Sequence, residues 1–109
     1  HGLVIPRVHA KELSELDSEV GCDVFKVAMI IAEALRKSGL KCEGVNLWLA
    51  DGEAAFQEPF HVHLHVIPRF KGDGFGLKLG PNYGSKPARK ELDMVAEQIR
   101  RAMPKIERS

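Results

Sequence analysis

Apolar residues recur along the chain in two periodicities, which predict strands and helices in a definite order. An apolar run closed by a proline predicts a first strand over residues 2–6. Alternating apolar residues predict two further strands, over 42–50 and 60–68. Apolar residues three and four positions apart predict one helix over 17–38 and a last helix from about Pro87 onward. In the first helix the residues at this spacing are Val20, Val24, Val27, Ile31, Ala34 and Leu35, and the last helix carries Leu92, Val95, Ile99 and Met103 on one face.

Local signals mark where the first helix begins and ends. Asp17 can cap the amino terminus of this helix, and Gly39 can take the left-handed conformation that ends it. Residues 51–59 and the glycine-rich stretch 70–87 predict loops between the regular elements. The order of elements predicts an α+β fold with a mainly antiparallel sheet and two helices, in a single domain over residues 1–109.

Composition narrows the class of protein. The chain has 109 residues, a formal net charge of +1 and 28% charged residues, without the excess of Lys and Arg expected of a nucleic-acid partner. Its longest apolar run, residues 27–32, is far shorter than a membrane span. Two cysteines, Cys22 and Cys42, are too few for a disulfide scaffold and favour a reducing compartment. We therefore expect a cytoplasmic protein that binds neither nucleic acid nor a membrane.

Three histidines alternate with aliphatic residues in the predicted strand 60–68. Side chains alternate faces along a strand, so His61, His63 and His65 are expected to point one way and their aliphatic neighbours the other. The aliphatic face is explained as core. Histidine has no special preference for strands, and three protonated imidazoles on one face would repel each other, so the triplet indicates a function.

A metal site is one interpretation of the triplet. Two strand histidines can share a zinc ion, but His61 and His65 would lie about 13 Å apart at the strand rise. A pair would need another ligand, such as His1, His9 or an acidic residue. The other interpretation is chemistry at a phosphate, because a neutral imidazole is a nucleophile that can carry a phosphoryl or nucleotidyl group. Neighbouring imidazoles can then donate protons to oxygens and to the departing group.

The segment 61–67 reads HVHLHVI and resembles the signature of the histidine-triad (HIT) family of nucleotide hydrolases and transferases. The resemblance extends to the loop 52–57, which ends in glutamine, to the run HGLVIP at 1–6, and to Gly44-Val45-Asn46. Residues 71–75, which read KGDGF, are similar to the fragile-histidine-triad branch. The resemblance covers most of the chain.

The resemblance implies a mechanism and a role for five residues. His63 would be the nucleophile that attacks the α-phosphate of a dinucleoside polyphosphate or a nucleoside phosphoramidate, forming a nucleotidyl-histidine intermediate. His61 and His65 would hydrogen-bond the phosphate oxygens and the leaving group. Gln57 would position the phosphates and the attacking water, and His1 would support the triad beside the phosphates. The family implies no metal, no cofactor and a homodimer.

Three features depart from the family pattern. Ala50 stands where relatives commonly have asparagine or glutamine, and Phe56 stands where many have glycine. Because phenylalanine disfavours positive φ, Phe56 predicts a reshaped phosphate loop. Relatives also have some tens of residues before the strand 2–6, so an amino-terminally truncated HIT-like fold is expected. Ala50 and the missing segment keep open the alternative of a nucleotide-binding module with little turnover. The histidine triplet itself keeps open a metal-dependent hydrolase that uses the triad histidines.

Overall fold

The computed structural model describes residues 1–58 and 60–104. The chain divides into two compact units, residues 1–75 and 76–109, which we describe separately. The first unit contains β1 (Gly2–Val4), α1 (Ser18–Lys37), β2 (Gly44–Trp48) and β3 (Leu64–Arg69). Single turns of 3₁₀ helix at Leu13–Glu15 and Glu53–Ala55 interrupt its loops. The second unit contains α2 (Arg89–Ala102). The α+β class is thus confirmed, while a single domain over 1–109 stays a prediction.

The sheet has three strands in the order β1-β3-β2, and both pairings are antiparallel. In this register His65 of β3 lies directly between Leu3 of β1 and Trp48 of β2. Cross-strand partners point to the same face of a sheet, so Leu3 and Trp48 flank His65 there. The central strand therefore places His65 on this face of the sheet, with Leu3 on one side and Trp48 on the other.

Helix α1 covers the opposite face of the sheet. The Asp17 side chain accepts a hydrogen bond from the Glu19 backbone N–H at 2.9 Å, which satisfies one free donor of the first turn. Gly39 follows the helix with φ of 85°, as its position predicted. The core consists of five buried residues from the helix and the sheet, namely Val4, Val24, Ala28, Leu64 and Val66.

Two details of the predicted helix face were wrong. Val27 and Ala34 are exposed, and Ala28 is fully buried in their place. A helix advances by 100° per residue, so a contact stripe centred on Val24 and Ala28 leaves Val27 at its edge. The small side chain of Ala28 lets the helix approach the sheet closely.

The strand that carries the histidines begins later than predicted. Strand β3 starts at Leu64 rather than at residue 60, so only His65 of the three histidines belongs to it. Strand β1 ends at Val4, opposite Leu64, and offers no partner to the residues before β3. The Val62 N–H donates instead to the Ala10 carbonyl at 2.8 Å. His61 and His63 are therefore held by a loop contact and not by a strand ladder.

A tight turn closes the carboxyl end of β3. The Arg69 guanidinium donates to Asp73 through Nε at 2.7 Å and through a terminal nitrogen at 3.0 Å, and also to the Asn46 side chain. The Asp73 carboxylate also accepts from the backbone N–H groups of Phe70 and Phe75. These bonds, with that to Arg69 the strongest, hold the pKa of Asp73 far below its usual range. The turn thereby fixes β3 to β2 at the end away from the histidines.

The second unit contains the predicted last helix, which begins two residues after Pro87. Ion pairs along its surface join Arg89 to Asp93 and join Glu97 to Arg100 and Arg101. Exposed pairs of this kind contribute little to stability. In the part of the chain that the structure describes, no helix combines the length and the apolar character needed to cross a membrane.

Candidate active site

His63 is the most buried of the histidines, with 5% of its surface exposed. Its Nδ1 lies 2.8 Å from the backbone carbonyl oxygen of His61. A carbonyl only accepts hydrogen bonds, so Nδ1 must carry the proton. In the neutral ring this leaves Nε2 with a free lone pair. The fold therefore presents His63 in the tautomer that a nucleophile at Nε2 requires.

His61 is clamped by the segment that follows β1. Its Nε2 donates to the Pro6 carbonyl oxygen at 3.0 Å, and its ring lies 5.7 Å from the ring of His9, centroid to centroid. The bond between the Val62 N–H and the Ala10 carbonyl closes the same clamp. Because the His61 carbonyl holds the His63 proton, this clamp also sets the position of His63.

His65 connects the triad to the fourth histidine of the site. Its ring centroid lies 5.0 Å from that of His63, edge to face, and 5.0 Å from that of His1. His1 Nε2 and His65 Nδ1 are 2.8 Å apart and share a proton. Burial, and secondly the charge of His63, lower the pKa of His65. His1, His65 and His63 thus form a contiguous row of imidazoles.

The three triad rings open into one pocket of about 180 Å³, which is lined by Leu3, Ile5, Glu58, His61, His63 and His65. Pockets for whole drug-sized ligands are commonly roughly 300–1,000 Å³. This pocket is therefore smaller than a site that encloses a whole drug-sized ligand.

Gln57 lies outside this pocket and is 2% exposed. Its side-chain oxygen accepts from the Gly52 N–H at 2.8 Å, and its nitrogen donates to the Lys11 carbonyl at 2.5 Å. The amide thus ties the loop before the histidines to the segment after β1. A direct role on phosphate or water, which stays a prediction, would require the amide to exchange these backbone partners.

Phe56 contradicts the expectation drawn from its side chain. We expected phenylalanine to avoid the left-handed region and so reshape the loop, but Phe56 adopts it, with φ of 69° and ψ of 33°. Hydrogen bonds from Phe56 N–H to Glu53 and from Gln57 N–H to Gly52 close the turn around it. The surrounding turn therefore overrides the preference of this residue, at a cost of about 1 kcal/mol.

Replacing Phe56 by glycine should therefore stabilise the protein. Its side chain is 85% exposed, so little packing is lost, and relief of the left-handed strain should exceed the added chain entropy of glycine. We expect the free energy of unfolding in urea to rise by about 0.5 kcal/mol. Phe56→Ala is the matched control: it removes the ring but keeps the strain, so an equal gain from alanine would contradict the explanation.

The lowered pKa of His65 can be measured by NMR titration of the imidazole signals. We expect His65 to titrate below the usual histidine range, and His63→Ala to move its pKa partway back, since burial remains. A lowered pKa means that the native state binds fewer protons than the unfolded chain. The contribution of His65 to the free energy of unfolding is therefore fully present above the ordinary histidine pKa. It declines as the pH falls below that value. A His65 pKa at or above the ordinary value would contradict the arrangement.

Metal ligation was the competing interpretation of the histidines. Within residues 1–58 and 60–104, no group of three or more His, Cys, Asp or Glu side chains converges closely enough to hold an ion. His1 and His65 are paired with each other, and the clamp occupies His61 Nε2. Metal-free chemistry stays a prediction, which chelation tests below.

The structure adds residues that the sequence pattern did not single out for the site. Leu3 and Ile5 form an apolar wall of the pocket, and Glu58 is the only acidic residue among the lining residues that the structure describes. His9, considered above only as an extra metal ligand, lies against His61. Alternation in the run 2–6 could have indicated Leu3 and Ile5. Nothing in the sequence indicates that Glu58 faces the triad.

This chain is similar in sequence and in fold to known proteins. The model of the HIT domain matches residues 1–72. An uncharacterized HIT-like protein of Borreliella burgdorferi is 43% identical over 86% of this chain and 69% of its own length. A Schizosaccharomyces pombe protein named adenosine 5′-monophosphoramidase is 32% identical over 91% of this chain and 69% of its own length. The crystal structure of a HIT family protein from Bacillus anthracis is 35% identical, with a TM-score of 0.79 over 94% of this chain and 72% of that one. This chain therefore belongs to the HIT family.

Proposed function

We propose that the protein is a nucleotide hydrolase or transferase that cleaves at the α-phosphate of nucleoside phosphoramidates or dinucleoside polyphosphates through a nucleotidyl intermediate on His63. The observation that carries this proposal is the bond from His63 Nδ1 to the His61 carbonyl, which leaves Nε2 free at the pocket. The S. pombe relative, named for adenosine monophosphoramidate, supports chemistry at a nucleotide phosphate.

In the first step the Nε2 lone pair of His63 attacks the α-phosphorus. A phosphorus–nitrogen bond to His63 forms, and the bond from phosphorus to the leaving nitrogen or oxygen breaks. The leaving atom takes a proton from the His1–His65 pair, which lies beside His63; the pair starts with one proton more than its neutral form and becomes neutral in this step. His63 keeps its Nδ1 proton and becomes a cationic nucleotidyl-imidazole.

His61 assists through its second ring nitrogen. Its Nε2 is engaged by Pro6, so only Nδ1 can reach a phosphate oxygen, and Nδ1 donates a hydrogen bond there only when the ring is protonated. A cation held at that position stabilises the charge that develops on the phosphate oxygens. Gln57 is assigned to positioning the phosphates and the water, as the family resemblance implies.

In the second step water attacks the same phosphorus. One proton of the water passes to His65, which gave up its own in the first step, and the bond from phosphorus to His63 breaks. The products are a nucleoside monophosphate and His63 in its starting tautomer. An acceptor other than water would take the nucleotidyl group in the same way, which is the transferase form of the reaction.

A quench experiment tests this function against its alternatives. Adenosine 5′-phosphoramidate and diadenosine triphosphate, labelled in the α-phosphate, are mixed with excess protein and stopped in base within milliseconds. We expect label on His63 by mass spectrometry, and release of labelled AMP that prolonged chelation with EDTA does not slow. Tight nucleotide binding without turnover would favour a binding module, and loss of activity on chelation would favour a metal-dependent hydrolase.

We further propose that the protein is a homodimer. In the described sheet both edge strands, β1 and β2, have one side without a partner strand, and open edges favour pairing with another chain. Helix α1 also exposes Phe25, Met29 and Ile30, which are each more than half accessible. Light scattering over a dilution series should give about 24 kDa, twice the chain mass of 12.1 kDa. A stable, active monomer throughout would contradict it.

A cytoplasmic location is the last part of the proposal. Cys22 is exposed and Cys42 is partly exposed, and both are free thiols. Free, accessible thiols persist in reducing compartments. Thiol labelling of the protein in intact and in lysed cells would test this, since a pair already oxidised in the cell would contradict it.

A further inference from the structure

Among the residues that the structure describes, the wall of the pocket at His63 includes one acidic residue, Glu58, and no Lys or Arg. Glu58 lines the pocket together with the three imidazoles and the apolar residues Leu3 and Ile5. A site for polyphosphates would be expected to surround its anionic ligand with cations. An acidic residue beside the reacting phosphate therefore needs an explanation.

Glu58 has no ion-pair partner in the part of the chain that the structure describes. In residues 1–58 and 60–104, no Lys, Arg or His nitrogen lies within 4 Å of its carboxylate. Lys11, whose ammonium group is near this loop, lies over the ring of Phe60 at 5.1 Å. Arg69 is bound to Asp73. The Glu58 side chain is exposed, so its negative charge is available to a bound ligand.

A charge in this place acts on the leaving group. The nucleotidyl phosphorus must meet His63 Nε2, and the leaving group must then share the remaining pocket wall with Glu58. An additional phosphate in the leaving group would be repelled by the carboxylate, whereas an ammonium group would be attracted. In water, unit charges about 4 Å apart change an equilibrium by roughly fivefold.

We propose that Glu58 is a specificity-determining residue, which selects phosphoramidates whose departing amine carries a second, cationic group and disfavours dinucleoside polyphosphates. This inference rests on the proposed function and names its substrate class. In the selected reaction the phosphorus–nitrogen bond breaks, His63 takes the nucleotidyl group, and the departing nitrogen receives one proton from the His1–His65 pair. Glu58 takes no part in the bond changes; it contacts the ammonium group at the far end of the amine.

Two substrates of equal shape isolate the effect of charge. AMP is joined through a phosphorus–nitrogen bond either to 1,3-diaminopropane, which ends in an ammonium group, or to butylamine, which ends in a methyl group. Diadenosine triphosphate supplies an anionic leaving group. The values of kcat/KM are measured for the unmodified protein, for Glu58→Gln, and for Glu53→Gln, which removes an exposed glutamate of the same loop that does not line the pocket.

The ratio of kcat/KM for the diaminopropane and butylamine substrates should be about fivefold higher in the unmodified protein than in Glu58→Gln. The ratio for diadenosine triphosphate over the butylamine substrate should rise in Glu58→Gln by a similar factor. Glu53→Gln should keep both ratios of the unmodified protein. Added salt should reduce the preference for the ammonium substrate, because salt screens charge and leaves shape unaffected. Equal ratios in Glu58→Gln and the unmodified protein would overturn the inference.

A binding measurement separates this inference from the proposed function. If the unmodified protein turns over none of the three substrates, the proposed function fails. Calorimetry with the same two phosphoramidates then still measures charge selection: the inference requires a several-fold tighter Kd for the diaminopropane compound, lost in Glu58→Gln. Equal Kd values for both compounds would overturn it as well.

Discussion

Replacing His63 by alanine should lower turnover of an adenosine phosphoramidate by roughly four orders of magnitude or more, as loss of a nucleophile does in enzymes whose catalytic residues act as a unit. No other ring can substitute. His65 Nδ1 is bonded to His1, and the free Nδ1 of His61 is assigned to a phosphate oxygen, so Nε2 of His63, whose ring is fixed by the His61 carbonyl, is the nitrogen left to attack. Steady-state release of AMP measures the effect.

The controls for this substitution separate chemistry from folding. His63 is buried, so alanine leaves a small cavity, and His63→Gln keeps most of the volume without a nucleophile. Both variants should bind AMP with a Kd within a few-fold of the unmodified protein, and neither should carry label in the quench experiment. A variant with near-normal turnover, or label on another histidine, would show that His63 is not the nucleophile.

Replacing Gln57 by leucine should lower the free energy of unfolding by about 2 kcal/mol, because the two backbone groups that the amide joins lose their partner. These are the Gly52 N–H and the Lys11 carbonyl, bonded at 2.8 and 2.5 Å. Leucine has a similar volume, so the effect reports on hydrogen bonding rather than on packing. Urea unfolding followed by the fluorescence of Trp48 measures it.

Gln57→Glu is the matched control for the amide. Glutamate keeps an oxygen that can accept from Gly52 but loses the N–H₂ that donates to Lys11, and it adds a buried charge. We expect it to be at least as destabilising as leucine. If Gln57→Leu leaves the unfolding free energy unchanged and lowers only kcat, the amide acts on substrate rather than as a tie between loops.

The regular elements could be predicted where their signals are local. Helix α1 begins and ends within one residue of its predicted bounds, because Asp17 and Gly39 act on the nearest backbone groups. The start of β3 could not, since it depends on where β1 ends and on a hydrogen bond from Val62 to the distant Ala10. The prediction that Phe56 avoids the left-handed region was wrong for the same reason, because the turn around this residue outweighs its own backbone preference.

In the candidate site, too, some features could be predicted from the sequence and others depend on distant contacts. Alternation in the sequence was enough to indicate that three imidazoles share one face, and the pocket brings those rings together. Which nitrogen of His63 is free could not be predicted, because that depends on a carbonyl whose position the clamp around His61 determines. The side on which Glu58 lies depends on the path of the loop 52–58, which no periodicity describes.

The proton of His63 rests on a peptide carbonyl, and this has a consequence for how the site tolerates change. Every amino acid at position 61 supplies the same carbonyl oxygen, so a point substitution there can remove a ring but cannot remove the acceptor that His63 uses. The backbone of residue 61, and not its side chain, thus supplies the acceptor that keeps Nε2 of His63 unprotonated. A substitution of His61 would remove a phosphate contact and the bond to Pro6, and the carbonyl would then keep its place only through the neighbouring bond from the Val62 N–H to Ala10.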